Sequence, residues 1–356
     1  MLTQTVEKNA HKTPSSPVNT GPSVDRRFSI APMLDWTTSD FRVFARTLSK
    51  HTLLYTEMVT TGAILQGDNP DRFLKFEECE HPLALQLGGS DPGALAKCAK
   101  YAEQYGYDEV NLNVGCPSDK VQNSLIGACL MAHPNKVKDA MSAMLDATTI
   151  PVTIKHRIGL DDQQEYSVLR DFVGEIATTG TSTFIVHARN AILAGLSPKQ
   201  NREIPPLKYD YVYRLKQDFP DLEIILNGGI KTLDECQQHL QHVDGVMIGR
   251  EAYNNPWILS EVDRRLYGSN DLVHTRFDAL TAFLPFIEQQ LNKGERLMHL
   301  TRHILGIFLG QPGGKLFRRY LSENGHKADA KIDVLLEAID MVNFQLNKAK
   351  DKTNEQ

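Results

Sequence analysis

Cys116 is the residue of this sequence whose setting most strongly suggests chemistry. It lies between Gly115, which permits an unusual turn, and Pro117, which stiffens the chain after it. A free thiol is mostly protonated at neutral pH and can therefore serve as a general acid. The other four cysteines are expected to pack as small buried hydrophobes: Cys79, Cys98, Cys129 and Cys236.

Two glycine-containing turns, each after an apolar run, suit a phosphate group. The first is Asn227-Gly228-Gly229 and the second is Gly249-Arg250. Glycine lets backbone N–H groups approach an anion, and the arginine adds positive charge. Glycine pairs are common in ordinary turns, but two such turns at successive run ends favour a phosphorylated ligand.

Lys155 ends another apolar run, and three interpretations are open: a Schiff-base nucleophile, a cation for an anionic cofactor, or an ordinary surface lysine. His187 ends the next run and Gln86 an earlier one. Together these side chains favour a planar heterocycle with donor and acceptor edges, such as a flavin. A satisfied core histidine is the alternative for His187.

A basic segment near the C-terminus suggests nucleic-acid binding. Residues 297–322 contain no Asp or Glu. The cations of interest there are Arg302, Lys315, Arg318 and Arg319, and Lys199 and Arg202 would extend the same surface. A solvated helix face is the alternative, but a glycine-rich turn at 310–314 joins two basic pieces and favours phosphate binding.

The composition limits the class of protein. A formal net charge of -5 argues against a generally basic nucleic-acid coat, so RNA contacts must come from local clusters. No apolar run approaches the roughly 20 residues of a membrane span. Five cysteines without a CxxC pair indicate a cytoplasmic protein, and no metal-ligand spacing is evident.

The elements that must position these residues are repeated βα units. Eight short apolar runs are predicted strands: 28–34, 53–59, 83–88, 109–114, 152–158, 183–188, 223–227 and 245–248. Amphipathic stretches lie between them, at 92–105, 136–145, 166–179 and 233–240. This alternation predicts a (β/α)8 TIM barrel, with a doubly wound sheet as the alternative. A barrel would gather the run ends at one mouth, where barrel enzymes have their active sites.

Four regions follow from this pattern. Residues 1–27 are predicted to be a disordered leader and 28–268 the barrel domain. Residues 269–348 are predicted to be a small all-helical domain, with helices near 277–291, 297–309, 315–321 and 332–346. Residues 349–356 would form a polar tail.

On these residues the chain resembles the flavin-dependent tRNA-dihydrouridine synthases, and is most similar to their A type. The motifs that carry the resemblance are at 31–35 (APMLD), 111–118 (NLNVGCPS), 155–159 (KHRIG), 187–191 (HARNA), 195–199 (GLSPK) and 201–207 (NREIPPL). The resemblance extends from Ile30 to about the end of the helical region.

The resemblance implies a barrel that binds FMN, a helical domain that binds tRNA, and NADPH as the reductant. It implies no obligate protein partner. The FMN-binding residues would be Pro32, Met33, Leu34, Gln86, Lys155, His187, Asn227, Gly228, Gly229, Gly249 and Arg250. Cys116 would give carbon 5 of the uracil ring its proton. The substrate would be uridine of the tRNA D-loop, at positions 20 and 20a.

Two points of the resemblance stay open. Asn113 is well placed to hydrogen-bond the uracil edge, and the alternative is that it orders the loop around Cys116. Ser124-Leu125-Ile126 stands where a stretch with a basic residue is expected, so any tRNA contact from that position is in doubt.

Three other functions remain alternatives. They are a flavin barrel that reduces a small molecule, an aldolase with Lys155 as the Schiff base, and a tRNA-binding protein without redox chemistry. The basic segment weighs against the first, and the loop of Cys116 against the second.

Overall fold

The computed structural model describes residues 24–67, 69–118, 125–270 and 273–354. Within these ranges, eight parallel strands form one sheet. They are β1 (Phe28–Ile30), β2 (Leu54–Thr60), β3 (Leu83–Gly88), β4 (Glu109–Val114), β5 (Val152–Arg157), β6 (Thr183–His187), β7 (Glu223–Asn227) and β8 (Gly245–Ile248). Strands β2 to β8 pair in chain order, and β1 pairs with β8. A parallel bridge between Ser29 and Leu53 brings β1 to the chain just before β2 and so closes the barrel.

Helices surround the barrel and continue after it, which confirms the predicted fold class. Around the barrel, the described α-helices are α1 (Ser39–Leu48), α2 (Thr61–Leu65), α3 (Asp71–Leu74), α4 (Pro92–Gln104), α5 (Pro134–Ala147), α6 (Tyr166–Ala177), α7 (Tyr209–Asp218), α8 (Leu233–His239), α9 (Arg250–Asn254) and α10 (Val262–Tyr267). The C-terminal region adds α11 (Arg276–Asn292), α12 (Leu297–Thr301), α13 (Gly314–Asn324) and α14 (Ile332–Asn354). None of these helices has the length and hydropathy needed to cross a membrane.

Alternation along the strands separates two buried layers. Val110, Leu112 and Val114 of β4 belong to the large apolar core that the strands share with the surrounding helices. The intervening Glu109 and Asn111 are also buried, because successive side chains point to opposite faces and the other face of a closed barrel is its interior. The interior also holds a small apolar cluster: Ala31, Leu53, Tyr55, Ala84, Ile185, Ile225 and Met247.

Strand β1 is shorter than the predicted run at 28–34, because it ends at Ile30. The chain turns three residues later, where the Met33 carbonyl accepts hydrogen bonds from the N–H groups of Trp36 and Thr37. Pro32 has no N–H to donate and therefore cannot continue a strand on both sides. Residues 31–34 consequently form a loop at the mouth of the barrel rather than part of its wall.

The outer limits of the fold also differ from the prediction. Residues 1–23 of the predicted leader lie outside the described residues, but Arg26 is only 7% exposed and forms an ion pair with Glu109 inside the barrel. At the other end, α14 continues to Asn354, into the predicted polar tail. The division into a barrel domain at 28–268 and a helical domain at 269–348 stays a prediction.

Two local predictions are wrong. The helix expected at 297–309 ends at Thr301, and residues 302–310 form turns. His303 is held there against the barrel: its ring bonds to the Thr38 hydroxyl at 3.1 Å and the Tyr253 hydroxyl at 3.2 Å. Cys79 is exposed rather than buried, because it lies in a short 3-10 turn whose inward residue is Glu80.

Candidate active site

Cys116 lies in the loop that follows β4, at the carboxyl-end mouth of the barrel. Its N–H donates to Asn113 Oδ1 at 3.0 Å, and the Gly115 N–H donates to the same oxygen at 3.1 Å. The Cys116 carbonyl accepts a bond from the Ala128 N–H at 2.8 Å. A Cβ at Gly127 would lie 2.4 Å from that carbonyl, so only glycine permits this approach. The backbone around the half-buried thiol is therefore held from two sides.

Part of the same loop, residues 119–124, lies outside the described residues. It includes Ser124, the first residue of the stretch that lacks the expected basic side chain. The other two residues of that stretch pack on apolar core: Ile126 is 8% exposed and Leu125 is partly buried against the main cluster.

Asn113 and Gln86 are bonded to each other below this loop. Asn113 Nδ2 donates to Gln86 Oε1, and Gln86 Nε2 donates to Asn111 Oδ1, both at 2.8 Å. Of the two roles open for Asn113, ordering the loop is the one that its bonds to Gly115 and Cys116 perform. A contact with substrate stays a prediction.

Lys155 projects from β5 into the mouth. Its Nζ donates to Asn227 Oδ1 at 3.0 Å, and Asn227 Nδ2 donates in turn to the Met247 carbonyl at 2.8 Å. Desolvation by the surrounding protein lowers the pKa of Lys155 to about 7, and Arg157 adds to the effect while Cys116 opposes it. The structure thus excludes an ordinary surface lysine and brings Lys155 near Cys116.

His187 lies against the glycine turn that follows β7. Gly228 has a φ of 120°, and a Cβ there would lie 2.7 Å from His187 Cδ2. Desolvation lowers the pKa of His187 well below its usual value, and the positive charges of Arg157 and Lys155 lower it further. The imidazole is therefore neutral at physiological pH and can present either a donor or an acceptor to a ligand.

The turn after β8 shares a cluster of charged residues with the loop after β6. Arg250 donates to the Glu203 carboxylate at 2.6 Å. This bond, together with the nearby Lys199 and Arg202, lowers the pKa of Glu203. The side chains of Arg250 and Glu203 are each more than one-third exposed, so their ion pair contributes little stability and can yield to an anion.

The loop of Pro32 and Met33 is held by the C-terminal region. Asp35 has a φ of 63°, and its carbonyl accepts a hydrogen bond from the Arg302 guanidinium. Leu34 is 70% exposed at the mouth. Arg302, predicted to contact tRNA, therefore also joins the helical region to the barrel.

Lys315, Arg318 and Arg319 lie together on α13. Phe317 and Leu321 of this helix are buried, whereas Lys315 and Arg319 are exposed and Arg318 is half-buried. None of the described residues forms an ion pair with these three cations. The helix therefore presents positive charge to solvent.

Two residues that shape the mouth were given no role from sequence. Arg157 is 2% exposed and donates to the carbonyls of Gly115 at 2.9 Å and of Asn190 and Asn201 at 3.0 Å, so it ties the loops after β4 and β6 together. Its position at the end of β5 was a signal. The Tyr209 hydroxyl donates to the Gly228 carbonyl at 2.7 Å, and nothing in the local sequence marks it.

A closed parallel barrel with a thiol, amide groups and cations at the carboxyl ends of its strands defines a barrel enzyme with a site for an anionic ligand. Residues 29–343 match the family model described as Dihydrouridine synthase (Dus). The chain therefore belongs to the dihydrouridine synthase family.

Curated relatives are similar over nearly their whole length. The tRNA-dihydrouridine(20/20a) synthase of Pseudomonas aeruginosa is 57% identical over 326 residues, which cover 92% of this chain and 98% of the relative. The enzyme of the same name from Escherichia coli K12 is 56% identical over 333 residues, 93% of this chain and 96% of the relative.

Among solved structures, the crystal structure of TcOYE with pHBA has a TM-score of 0.52 with this chain at 11% identity. The match covers 69% of this chain and 91% of that one, and at this identity it shows the fold alone.

Proposed function

We propose that this chain reduces the 5,6 double bond of uridine in the D-loop of tRNA, at positions 20 and 20a, in the cytoplasm. Membership of the dihydrouridine synthase family supports the reaction, and the names of the relatives support the positions. The observation that carries the proposal is the thiol of Cys116, held at the mouth beside Lys155 by the bond from its own N–H to Asn113.

The residues of the mouth fit FMN. Lys155 and Arg157 supply positive charge, the neutral His187 supplies a donor or an acceptor, and none of the described residues places a carboxylate against these three side chains. The glycine turn at 227–229 brings backbone close to His187, where a Cβ would leave no room. An anionic, planar group with donor and acceptor edges satisfies both features.

In this proposal, each strand end holds one part of the cofactor. Lys155, His187 and Gln86 bind the ring system. Pro32, Met33 and Leu34, in the loop after β1, also contact it. Asn227, Gly228, Gly229, Gly249 and Arg250 hold the phosphate. When bound and reduced by NADPH, FMN supplies the hydride for carbon 6 of the uracil ring.

Cys116 has the complementary task. Its thiol gives a proton to carbon 5, and the resulting thiolate takes a proton back from water, so that one hydride and one proton add across the double bond. The uridine must leave its stack to reach the mouth, which costs a few kcal/mol. Contacts of the phosphate backbone with Lys199, Arg202, Arg302, Lys315, Arg318 and Arg319 would offset that cost.

The test is the Cys116→Ala variant of the full chain. We expect it to keep its yellow flavin but to form dihydrouridine at least about 100-fold more slowly, since general acid catalysis contributes about 10²- to 10⁴-fold. Dihydrouridine at positions 20 and 20a of tRNA is measured by mass mapping after incubation with NADPH. Cys79→Ala removes an exposed thiol elsewhere and is the matched control. Full activity of Cys116→Ala would refute the proton-donor role.

A further inference from the structure

A continuous row of hydrogen-bonded polar side chains crosses the interior of the barrel. It runs from the end opposite the mouth, here called the floor, where Arg26 pairs with Glu109, to the loop of Cys116. Its members come from β3, β4 and β5 and from the segment before β1. They are Arg26, Glu109, Thr153, Asn111, Gln86 and Asn113, and none is more than 9% exposed. Such a row is unfavourable in a core unless every member has its partners, and each of the four from Thr153 to Asn113 has them.

The row begins at a charged acceptor. Glu109 Oε2 accepts from Arg26 Nε, and Oε1 accepts from the hydroxyls of Tyr55 and Thr153, each at 2.6 Å. Because a carboxylate can only accept hydrogen bonds, Thr153 must donate its single hydroxyl proton to Glu109. The Thr153 oxygen is then left as an acceptor for the next residue.

The donor and the acceptor of each following hydrogen bond are determined by the bond before it. The Thr153 oxygen accepts from Asn111 Nδ2 at 2.8 Å, which turns Asn111 Oδ1 toward Gln86 Nε2. Gln86 Oε1 then faces Asn113 Nδ2 at 2.8 Å. A reversed amide at any position would set two donors or two acceptors against each other.

The last amide meets the loop of Cys116. With its Nδ2 bonded to Gln86, Asn113 has only Oδ1 left for the loop, and this oxygen accepts from the N–H groups of Gly115 and Cys116. A reversed Asn113 would oppose two donors with a third donor. The carboxylate on the barrel floor therefore determines which atom supports the loop at the mouth.

We propose that Thr153 and Asn111 are positioning residues for Cys116. Their hydrogen bonds connect Glu109 to Asn113 and fix the orientation of the Asn113 amide, which in turn holds the proton-donating loop in place. The proposal rests on the proposed role of Cys116. Neither residue reaches the mouth, so any effect on the reaction must pass through Gln86 and Asn113.

The structure offers a matched control for Thr153. Thr183 of β6, which is 5% exposed, also donates its hydroxyl to a carboxylate oxygen, that of the half-buried Glu223, at 2.8 Å. Glu223 also accepts from Arg26, so Thr183 is connected to the row only through Arg26 and Glu109. Its loss leaves every hydrogen bond from Glu109 through Thr153 to Asn113 in place. Thr153→Val and Thr183→Val therefore remove the same kind of bond, one inside the row and one outside it, and Thr153→Ser keeps the hydroxyl.

The first measurement is amide hydrogen exchange of the peptide that contains Gly115 and Cys116, in the full chain with its flavin. We expect Thr153→Val to speed exchange of these two N–H groups by about 10-fold, the effect of weakening one hydrogen bond. Thr183→Val and Thr153→Ser should leave it within about twofold. Equal exchange in Thr153→Val and wild type, or equal acceleration in Thr183→Val, would overturn the proposal.

The second measurement is turnover. Thr153→Val should lower kcat for dihydrouridine formation by about 10- to 100-fold, as a small misplacement of a reacting group does, with KM for tRNA and flavin content within about twofold. In a Cys116→Ala background the same change should have no further effect. A full additional loss there would show that Thr153 acts by another route and would refute the proposal.

Two features keep this test decisive. If Thr153→Val does not fold, Asn111→Leu, which is close in shape, interrupts the row one step nearer the loop and has the same expected outcomes. Hydrogen exchange does not depend on catalysis, so a failure of the proton-donor role, seen as full activity of Cys116→Ala, is distinguishable from a failure of the row to order the loop.

Discussion

The floor and the mouth of the barrel both hold cations away from bulk water, but the surrounding protein shifts the pKa values of these cations in opposite directions. On the floor, burial alone would lower the pKa of Arg26, yet the carboxylates of Glu109 and Glu223 outweigh it and the pKa is raised. At the mouth, desolvation lowers the pKa of Lys155 to about 7 and that of Arg157 to about 10. None of the described residues places a carboxylate against either mouth cation.

This difference separates charge that stabilises the fold from charge that awaits a ligand. On the floor, each carboxylate has a guanidinium or hydroxyl partner within the chain. At the mouth, desolvated cations without a counter-ion are energetically unfavourable, which is an arrangement typical of functional sites. An anionic ligand would supply the missing counter-charge, so the mouth and not the floor is the expected cofactor site.

The largest expected effect comes from breaking the floor. Arg26→Met leaves the Glu109 carboxylate buried without its cation, so we expect the free energy of unfolding to fall by about 3–5 kcal/mol. Urea unfolding of the apoprotein measures it. Arg27→Met, which removes the exposed neighbouring arginine, should cost at most about 1 kcal/mol. The comparison fails if both variants lose the same stability, or if Arg26→Met weakens FMN binding in the folded protein.

The mouth should respond the other way round. Lys155→Met removes a charge-assisted donor to the cofactor, so FMN should bind about 10- to 100-fold more weakly. The apoprotein should be at least as stable as wild type, because a desolvated cation without a counter-ion is lost. Fluorescence titration with FMN and urea unfolding measure the two effects. Lys136→Met, an exposed lysine on α5, is the control, and a loss of apoprotein stability in Lys155→Met would contradict this account.

A change of pH should produce the same contrast without a mutation. Lys155 loses its proton near pH 7 in the folded apoprotein, against 10.5 for an ordinary lysine, so between these values the unfolded chain binds more protons. Stability due to this residue therefore rises with pH, whereas affinity for the FMN anion falls as the ammonium is lost.

Titrations between pH 7 and 9 are the measurement, because the phosphate of FMN, with a second pKa of about 6, is already doubly charged there. We expect the apparent Kd of FMN to rise across this range in wild type and to stay flat in Lys155→Met. A parallel rise in both proteins would assign the pH dependence to another group.

The mouth was largely predictable from sequence, whereas the floor was not. Parallel strands place their carboxyl ends together, so Lys155, His187 and Asn227 could be assigned to one edge before any contact was known. Arg26 was assigned to the leader because its partners, Glu109 and Glu223, lie 83 and 197 residues away in the chain. No local pattern carries that information.

One floor signal was present in the sequence and was not used. The alternation of Glu109, Asn111 and Asn113 with apolar residues along β4 indicates a polar face, and in a closed barrel that face is interior. The helical pattern of residues 302–309 also gave a wrong prediction, because tertiary contacts determine their conformation. The bonds of His303 to Thr38 and Tyr253 hold these residues in turns.

The smallest effect concerns cations that are neither buried nor paired, those of α13. Arg318 and Arg319 have no described carboxylate partner, but water solvates them, so unlike Lys155 they should cost the fold nothing. Replacing both with Gln should leave stability and FMN affinity unchanged, weaken tRNA binding, and reduce the slope of log K against log salt by about 1.5, close to 0.8 for each lost phosphate contact.

Filter binding of tRNA at several salt concentrations measures that slope. The control is Lys97→Gln with Lys100→Gln, which removes the same charge from α4 on the side of the barrel. An equal change in both double variants would reflect net charge alone, and an unchanged slope in the first would return α13 to an ordinary solvated face. A loss of FMN affinity would instead mean that mouth and helix share one electrostatic field, and the division between ligand charge and surface charge would no longer hold.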